Sequence, residues 1–546
     1  MSSRAFALAA TLSLALAALS PAAAAQPTSA AGTELVVAFN DLEPEFDPQH
    51  SIYSAEAQIF TGIYEGLFSY DPASLDPVKA ACRSFSRSKD GLTYTFYLRE
   101  EARWSDGSPL LAGDFAAAWL RALDPAARAD YAAFFDVIAG AKDYRLGKAK
   151  DPSGVGVSVV GDKVLQVKLA APAAYFTRLL CHHSFSPVHP SMLKRRDWKA
   201  TPALPVNGPY KVASQAKGEI LLERNPHYWD AKAVRIDRVR LVLSDDDADV
   251  TRRYDNGEIQ WLAGPMDLDA LLDRGSIQVA PMFGTHYWFF DCGKAPWQNA
   301  DLRRALALLL PWKELRSKEN YVIPAKTLVL PFEGYDKVEG IAALDEEAAR
   351  QLLAKAGHPD GKGLPSLTLL VPSEGEDAQR VAAAMKAAWE RLPGLAVEIK
   401  KVPSANYFSV VRSGPDKGGF DLAITTWIGD FADPLAFLGM WTSDSNLNDA
   451  RHADPEYDRL VAESAGKDGD ERLAALAKAE ARLLAGAAVL PMYHSIAVNV
   501  VDAEFLEGWF SNALDIHPFK YLGFGERRVR PNVASADPTP EAAAPL

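Results

Sequence analysis

The residues best suited to chemistry lie between Phe420 and Met440. Phe420-Asp421-Leu422-Ala423-Ile424-Thr425-Thr426-Trp427 reads as a buried apolar strand that ends on an aromatic. After Ile428, Gly429 permits a turn, Asp430 supplies a carboxylate and Asp433-Pro434 breaks the run. A strand end followed by an aromatic, a glycine and an acid offers a cation a fixed counter-charge in a dry place.

Other reactive residue types form less complete patterns. Cys181-His182-His183 with His189 has metal-ligand types, but a metal needs three or four convergent ligands and no acid lies nearby in sequence. A strand end with one His facing in and one facing out is the plainer reading. Asp245-Asp246-Asp247 with Asp249 fails the calcium-loop pattern, because Val250 and Asn256 stand at its sixth and twelfth positions. Acids at the start of a helix account for that cluster. His286, His452 and His494 have no partner by spacing. There is no nucleophile elbow, P-loop, zinc-protease motif or dinucleotide fingerprint. No catalytic residue, metal or cofactor is expected.

His286-Tyr287-Trp288-Phe289-Phe290, Trp427, Phe431, Trp441 and Tyr493 fall in four separate segments. Most belong in a core. Strand alternation puts Tyr287 and Phe289 on one face and His286, Trp288 and Phe290 on the other, so one face can line a cleft.

The elements that carry these residues change character along the chain. Short strands such as Tyr94 to Leu98 alternate with turns in the first part, Asp114 opens a helix over 115–123, and 157–169 reads as a hairpin about Gly161-Asp162. In the C-terminal half, helices over 345–356 and 376–392 alternate with strands over 367–371, 396–402 and 420–427. That alternation predicts an α/β lobe with a largely parallel sheet, whose ligands bind at strand carboxyl ends. Trp427 to Asp430 stands at such an end.

Residues 1–25 have an early Arg4, an Ala/Leu-rich run and small residues before Gln26, the pattern of a secretory signal peptide. No Cys stands directly after the cleavage site, so a soluble, exported protein without a lipid anchor is expected. About 520 mature residues are too many for one core. The formal charge of −13 argues against nucleic acid as a partner. Cys82, Cys181 and Cys292 allow one disulfide and one leftover thiol, and spacing does not choose between pairings. The Pro/Ala-rich, acidic end, 529–546, has little to pack and reads as a disordered tail.

Several segments together resemble the solute-binding proteins of peptide ABC importers, family 5 of the bacterial extracellular solute-binding proteins. They are Ile63-Tyr64-Glu65-Gly66-Leu67-Phe68, Trp104-Ser105-Asp106-Gly107-Ser108-Pro109, Asn207-Gly208-Pro209-Tyr210 and Asn225-Pro226-His227-Tyr228-Trp229. The resemblance runs from about Glu34 to about Phe524. It implies an α/β, periplasmic-binding-protein-like fold (type II, cluster C): two α/β lobes joined by hinge strands, plus an inserted third lobe. The boundaries it suggests are 33–65, 185–285 and 497–528 for the first lobe, 66–184 for the insert and 286–496 for the third.

It also implies a monomeric periplasmic protein that closes on a peptide ligand and delivers it to an inner-membrane permease. The same fold binding another solute (a sugar, a metal chelate, a cell-wall peptide) and an exported hydrolase are the alternatives. Asp430 matches the acid that pairs with a peptide α-amino group, Trp427 its aromatic neighbour, Tyr131 an aromatic on the insert and Arg412 an arginine of the pocket. Ile428, Gly429, Tyr287 and Tyr493 complete the expected ligand-binding set. The chain departs from the family pattern at Ile424, where the best-known members carry an Arg, and at Ser373-Glu374-Gly375-Glu376-Asp377, where they carry a His.

Overall fold

The computed structural model describes residues 33–525, apart from 52, 174, 196–197, 199–200, 272–275, 318–322, 332–333, 415–418, 430, 432 and 468. The expected signal peptide, the expected tail and Asp430 lie outside the described residues.

An eleven-stranded mixed sheet runs through the molecule. From one edge its order is Val397–Val402, Leu367–Pro372, Leu422–Ile428, Ile277–Phe290, Val489–Val501, Trp261–Leu262, Glu34–Phe39, Arg238–Leu243, Glu219–Arg224 and Tyr210–Ala216, with Ile323–Pro324 added beside Val489–Val501. The three strands at the first edge are parallel, as the alternation of helices and strands predicts. Glu34–Phe39 is parallel to both of its neighbours. Between these two parallel groups lie the two longest strands, and they are antiparallel.

Those two strands hand the sheet from one half to the other. Ile277 to Pro281 pairs with Ile496 to Val500, and Thr285 to Phe289 pairs with Val489 to His494. The ladder is irregular between Pro281 and Thr285. On one side of this break Val489–Val501 pairs with Trp261–Leu262; on the other, Ile277–Phe290 pairs with Leu422–Ile428. An irregular stretch in an otherwise continuous ladder is where a sheet bends most easily.

A separate antiparallel sheet holds Cys82–Arg87, Thr93–Leu98, Val164–Lys168 and Val157–Gly161. The last two strands form the hairpin expected about Gly161-Asp162. The helix expected to open at Asp114 begins two residues earlier and spans Ala112–Leu123. Asp114 sits inside its first turn and reaches back to accept the Leu111 N–H at 2.9 Å and the Trp104 indole N–H at 3.0 Å.

The motifs that carry the family resemblance are tied together by hydrogen bonds. Glu65 is buried, which pushes its carboxyl up, and it accepts from the Tyr228 hydroxyl and, at 2.6 Å, from the Trp229 indole. Asn207 exchanges two hydrogen bonds with the Glu65 backbone, and Asn225 donates to Gly208 O at 2.9 Å. The Asp245 cluster serves the helix Asp247–Asp255, whose first turn is capped by Asp246 accepting from Asp249 N. All three cysteines are free thiols, so the disulfide that the odd count permits is not formed.

His494 lies in the handover, 2.9 Å from Thr285 Oγ1, and burial pushes its pKa down to about 4. A buried neutral imidazole stabilises the fold fully above its unfolded value of 6.5, and that contribution is lost as pH falls toward 4. The urea midpoint of the wild type should therefore fall more steeply between about pH 7 and about pH 4.5 than that of His494→Gln. Equal slopes would contradict this.

Candidate functional site

A cavity of about 1730 Å³ lies between the two halves of the large sheet. One wall is Ile424 to Ile428 with His286, Tyr287 and Phe289; facing segments come from 40–44 and 215–218. A smaller cavity of about 140 Å³ adjoins it and shares Thr426, Trp427 and Ile428 with it.

The structure brings every described candidate residue to these two cavities. Trp427 and Ile428 line both, Gly429 and Tyr131 the smaller, and Tyr287, Tyr493 and Arg412 the larger. Strand alternation places His286 on the face opposite Tyr287, yet both line the larger cavity. The reason is the register shift between His286 and Tyr287 against Val489–Val501, which turns successive side chains toward one side.

The turn after Trp427 is gripped from several directions. The Trp427 indole donates to Ala436 O at 2.9 Å, and its ring lies 6.4 Å from that of Tyr131. Phe431 stacks on Tyr175 at 6.2 Å and meets Phe134 edge-on at 5.9 Å. The buried Asp433 carboxylate takes two hydrogen bonds from Arg472, whose guanidinium lies 4.6 Å from the Tyr175 ring. Gly429 N donates to Phe283 O at 2.7 Å, so the turn is bonded directly to the irregular stretch of the sheet.

The cavity wall is predominantly acidic. Asp41, Glu43, Asp245, Glu376, Asp377 and Asp449 line it, against Lys217 and Arg412. The acidic stretch expected to lack a cation is used locally: Glu374 accepts from Ser404 N at 2.9 Å, and Asp377 accepts from the Tyr493 hydroxyl at 2.5 Å. Ile424 lines the cavity with its backbone held by Tyr407, whose hydroxyl accepts from Ile424 N at 3.0 Å. Arg412 pairs with Asp130 at 3.1 Å and with Asp449 at 3.5 Å. Burial pushes both of these carboxyls up, and the guanidinium beside them pulls them back.

Asp130 behind Arg412 and Asp449 on the wall are not singled out from the sequence, and Asp377 enters only as part of an acidic stretch. The adjacency of Asp130 to Tyr131 is the one signal that could have drawn attention to the first. Of the paired histidines, His182 Nδ1 accepts from Ser184 N, and His183 Nδ1 lies 2.8 Å from Pro48 O; among the described residues no group of three or more His, Cys, Asp or Glu could hold a metal ion.

Residues 76–449 match the family model described as bacterial extracellular solute-binding proteins, family 5 Middle. The chain belongs to this family. It is 30% identical to the periplasmic oligopeptide-binding protein OppA of Salmonella typhimurium over 475 residues, 83% of this chain and 86% of the relative. Haemophilus influenzae OppA in complex with RPPGFSPFR superposes with a TM-score of 0.79 at 26% identity, covering 90% of this chain and 99% of that one. The unliganded open form of the periplasmic murein tripeptide binding protein MppA, also 26% identical, superposes with a TM-score of 0.62 over 90% of this chain and 96% of that one. The present chain thus superposes better on the complexed relative than on the open one.

A Cβ on Gly429 would stand 2.5 Å from Phe283 Cδ1, whereas one on Gly113 meets nothing within 4 Å. Gly429→Ala should cost about 1–3 kcal/mol through overpacking. Gly113→Ala, inside the Ala112–Leu123 helix, should be neutral or stabilising by up to about 1 kcal/mol. Thermal melting of the two variants checks this, and equal shifts would contradict the packing at Gly429.

Proposed function

We propose that this chain is the exported, peptide-capturing component of an ABC importer. It closes on short peptides between its halves and presents them to an inner-membrane permease, as a monomer in the periplasm and without catalysis. The assignment of lobes, 33–65 with 185–285 and 497–528, then 66–184, then 286–496, is part of the same proposal. It is supported by the handover of the sheet through Ile277–Phe290 and Val489–Val501. Among the described residues no helix is long and apolar enough to cross a membrane.

One observation carries the peptide reading. Leu422–Ile428 pairs with Leu367–Pro372 only at Leu422 and Ala423, and beyond that point it runs on along the cavity as Thr425 to Ile428. A strand that outruns its neighbour beside a roomy cavity can take an extended peptide as an added strand. Backbone hydrogen bonds then hold any sequence, while side chains enter wide, hydrated space. Asp430, next to Gly429 in sequence, supplies the counter-charge for the peptide's ammonium. The acidic wall adds to the preference for a ligand bearing a cation over a sugar.

A hydrolase would need a nucleophile beside a base. Thr426 Oγ1 lies 2.5 Å from His286 Nδ1, but these residues are direct cross-strand partners, which accounts for the contact. The binding reading therefore expects peptides to be recovered intact after long incubation.

Calorimetric titration with a pool of short peptides and with the same pool N-acetylated tests the central contact. The free pool should bind and the acetylated pool should bind far more weakly. Asp430→Asn should lose about 2–5 kcal/mol of affinity, the range for removing one partner of a buried charge pair. Equal binding of the two pools would sink the assignment of Asp430.

A further inference from the structure

Arg412 stands at the end of the helix Ser404–Val411 and lines the large cavity. It is the one arginine among the described lining residues, and so the natural receiver for a ligand carboxylate. Its guanidinium is already engaged on two sides. Nη1 donates to Asp130 Oδ1 at 3.1 Å, and Nε faces Asp449 Oδ1 at 3.5 Å.

The Asp130 contact is built into the fold. Asp130 follows the Ala112–Leu123 helix on the insert, on the far side of the chain from Arg412 in sequence. Its backbone is held by groups other than Arg412: Asp130 N donates to Gln49 O at 3.1 Å, and Asn446 Nδ2 donates to Asp130 O at 2.7 Å. The same asparagine accepts from Ala133 N at 3.2 Å. The segment around Asn446 thus clamps the turn that carries Asp130, and the carboxylate is delivered to the guanidinium.

We propose that Asp130 is a specificity-determining positioning residue. By reaching across to Arg412 it withdraws that guanidinium from the ligand and makes the cavity blind to a peptide's C-terminal carboxylate. The inference rests on the peptide reading given above. A ligand carboxylate arriving at Arg412 would be the third acid on one guanidinium, and would meet repulsion from Asp130 and Asp449 in half-buried surroundings. Among the described lining residues the one other Lys or Arg is Lys217; the position three residues before Trp427 is Ile424, and the 373–377 segment is acidic. Peptides ending in a carboxylate and peptides ending in an amide should therefore bind alike.

The test is calorimetry with one pool of short peptides in two forms, free C-terminal acid and C-terminal amide, both with free N-termini. Wild-type protein should bind the two within about two-fold. Asp130→Asn removes one of the two negative charges beside Arg412 and should prefer the acid by about ten-fold, the worth of one modest charge-assisted contact. Adding Arg412→Ala to that variant should abolish the preference. Asp130→Ser serves as a second variant, and melting curves establish that each is folded. A ten-fold acid preference already present in the wild type would overturn the inference, as would an absence of preference in both folded variants. If neither pool binds the wild type, the peptide reading fails and this inference falls with it. Equal binding of an N-acetylated pool would remove only the role of Asp430, and the acid-against-amide comparison would still decide the role of Asp130.

Discussion

Phe283 joins three parts of the molecule through its backbone. Its N–H donates to Ala513 O at 2.6 Å and its carbonyl accepts from Gly429 N at 2.7 Å, while its own strand shifts register against Val489–Val501 between Pro281 and Thr285. Buried amides and carbonyls must be bonded, so any motion of one half against the other has to carry these contacts or exchange them. The site turn is therefore fastened to the stretch where the sheet bends. The Phe283 ring reinforces the joint by meeting Phe437 edge-on at 4.8 Å, which is why the turn needs a glycine at 429.

Around that joint the electrostatics are arranged by burial. The Asp433 carboxylate would be costly without Arg472, and the pair in turn ties the turn to Tyr175. Asp130 and Asp449 hold Arg412 in the same way. The one arginine among the described lining residues of the large cavity is thus engaged by the protein's own acids, and acids outnumber cations on the wall. A ligand that brings an ammonium completes the balance, and it can touch both halves only when they are together. Binding and closure are one event under that constraint.

Much of this is legible in the chain. The strands at 367–371, 396–402 and 420–427 show as apolar runs between helices with clear stops, because local patterning alone decides them. The Trp427-Ile428-Gly429 strand end shows for the same reason. Contacts between distant segments do not: Arg412 and Asp130 are 282 residues apart, and nothing in either neighbourhood announces the other. The direction of His286 depends on a register shift that only the pairing with Val489–Val501 creates. The start of the Ala112–Leu123 helix is misread from sequence because Asp114 looks like a cap and acts instead from inside the first turn. The motifs most useful for recognition, such as those of Glu65 and Trp229, prove to be joints of the scaffold, and Glu65 lines the smaller cavity as well.

The central claim is that a peptide ammonium draws the two halves together over the Trp427 strand end. Small-angle X-ray scattering of the protein alone, with a pool of short peptides and with the N-acetylated pool tests it most directly. The account predicts a smaller radius of gyration with the free peptides and no contraction with the acetylated ones. An unchanged radius with saturating free peptides, or equal contraction by both pools, would contradict it.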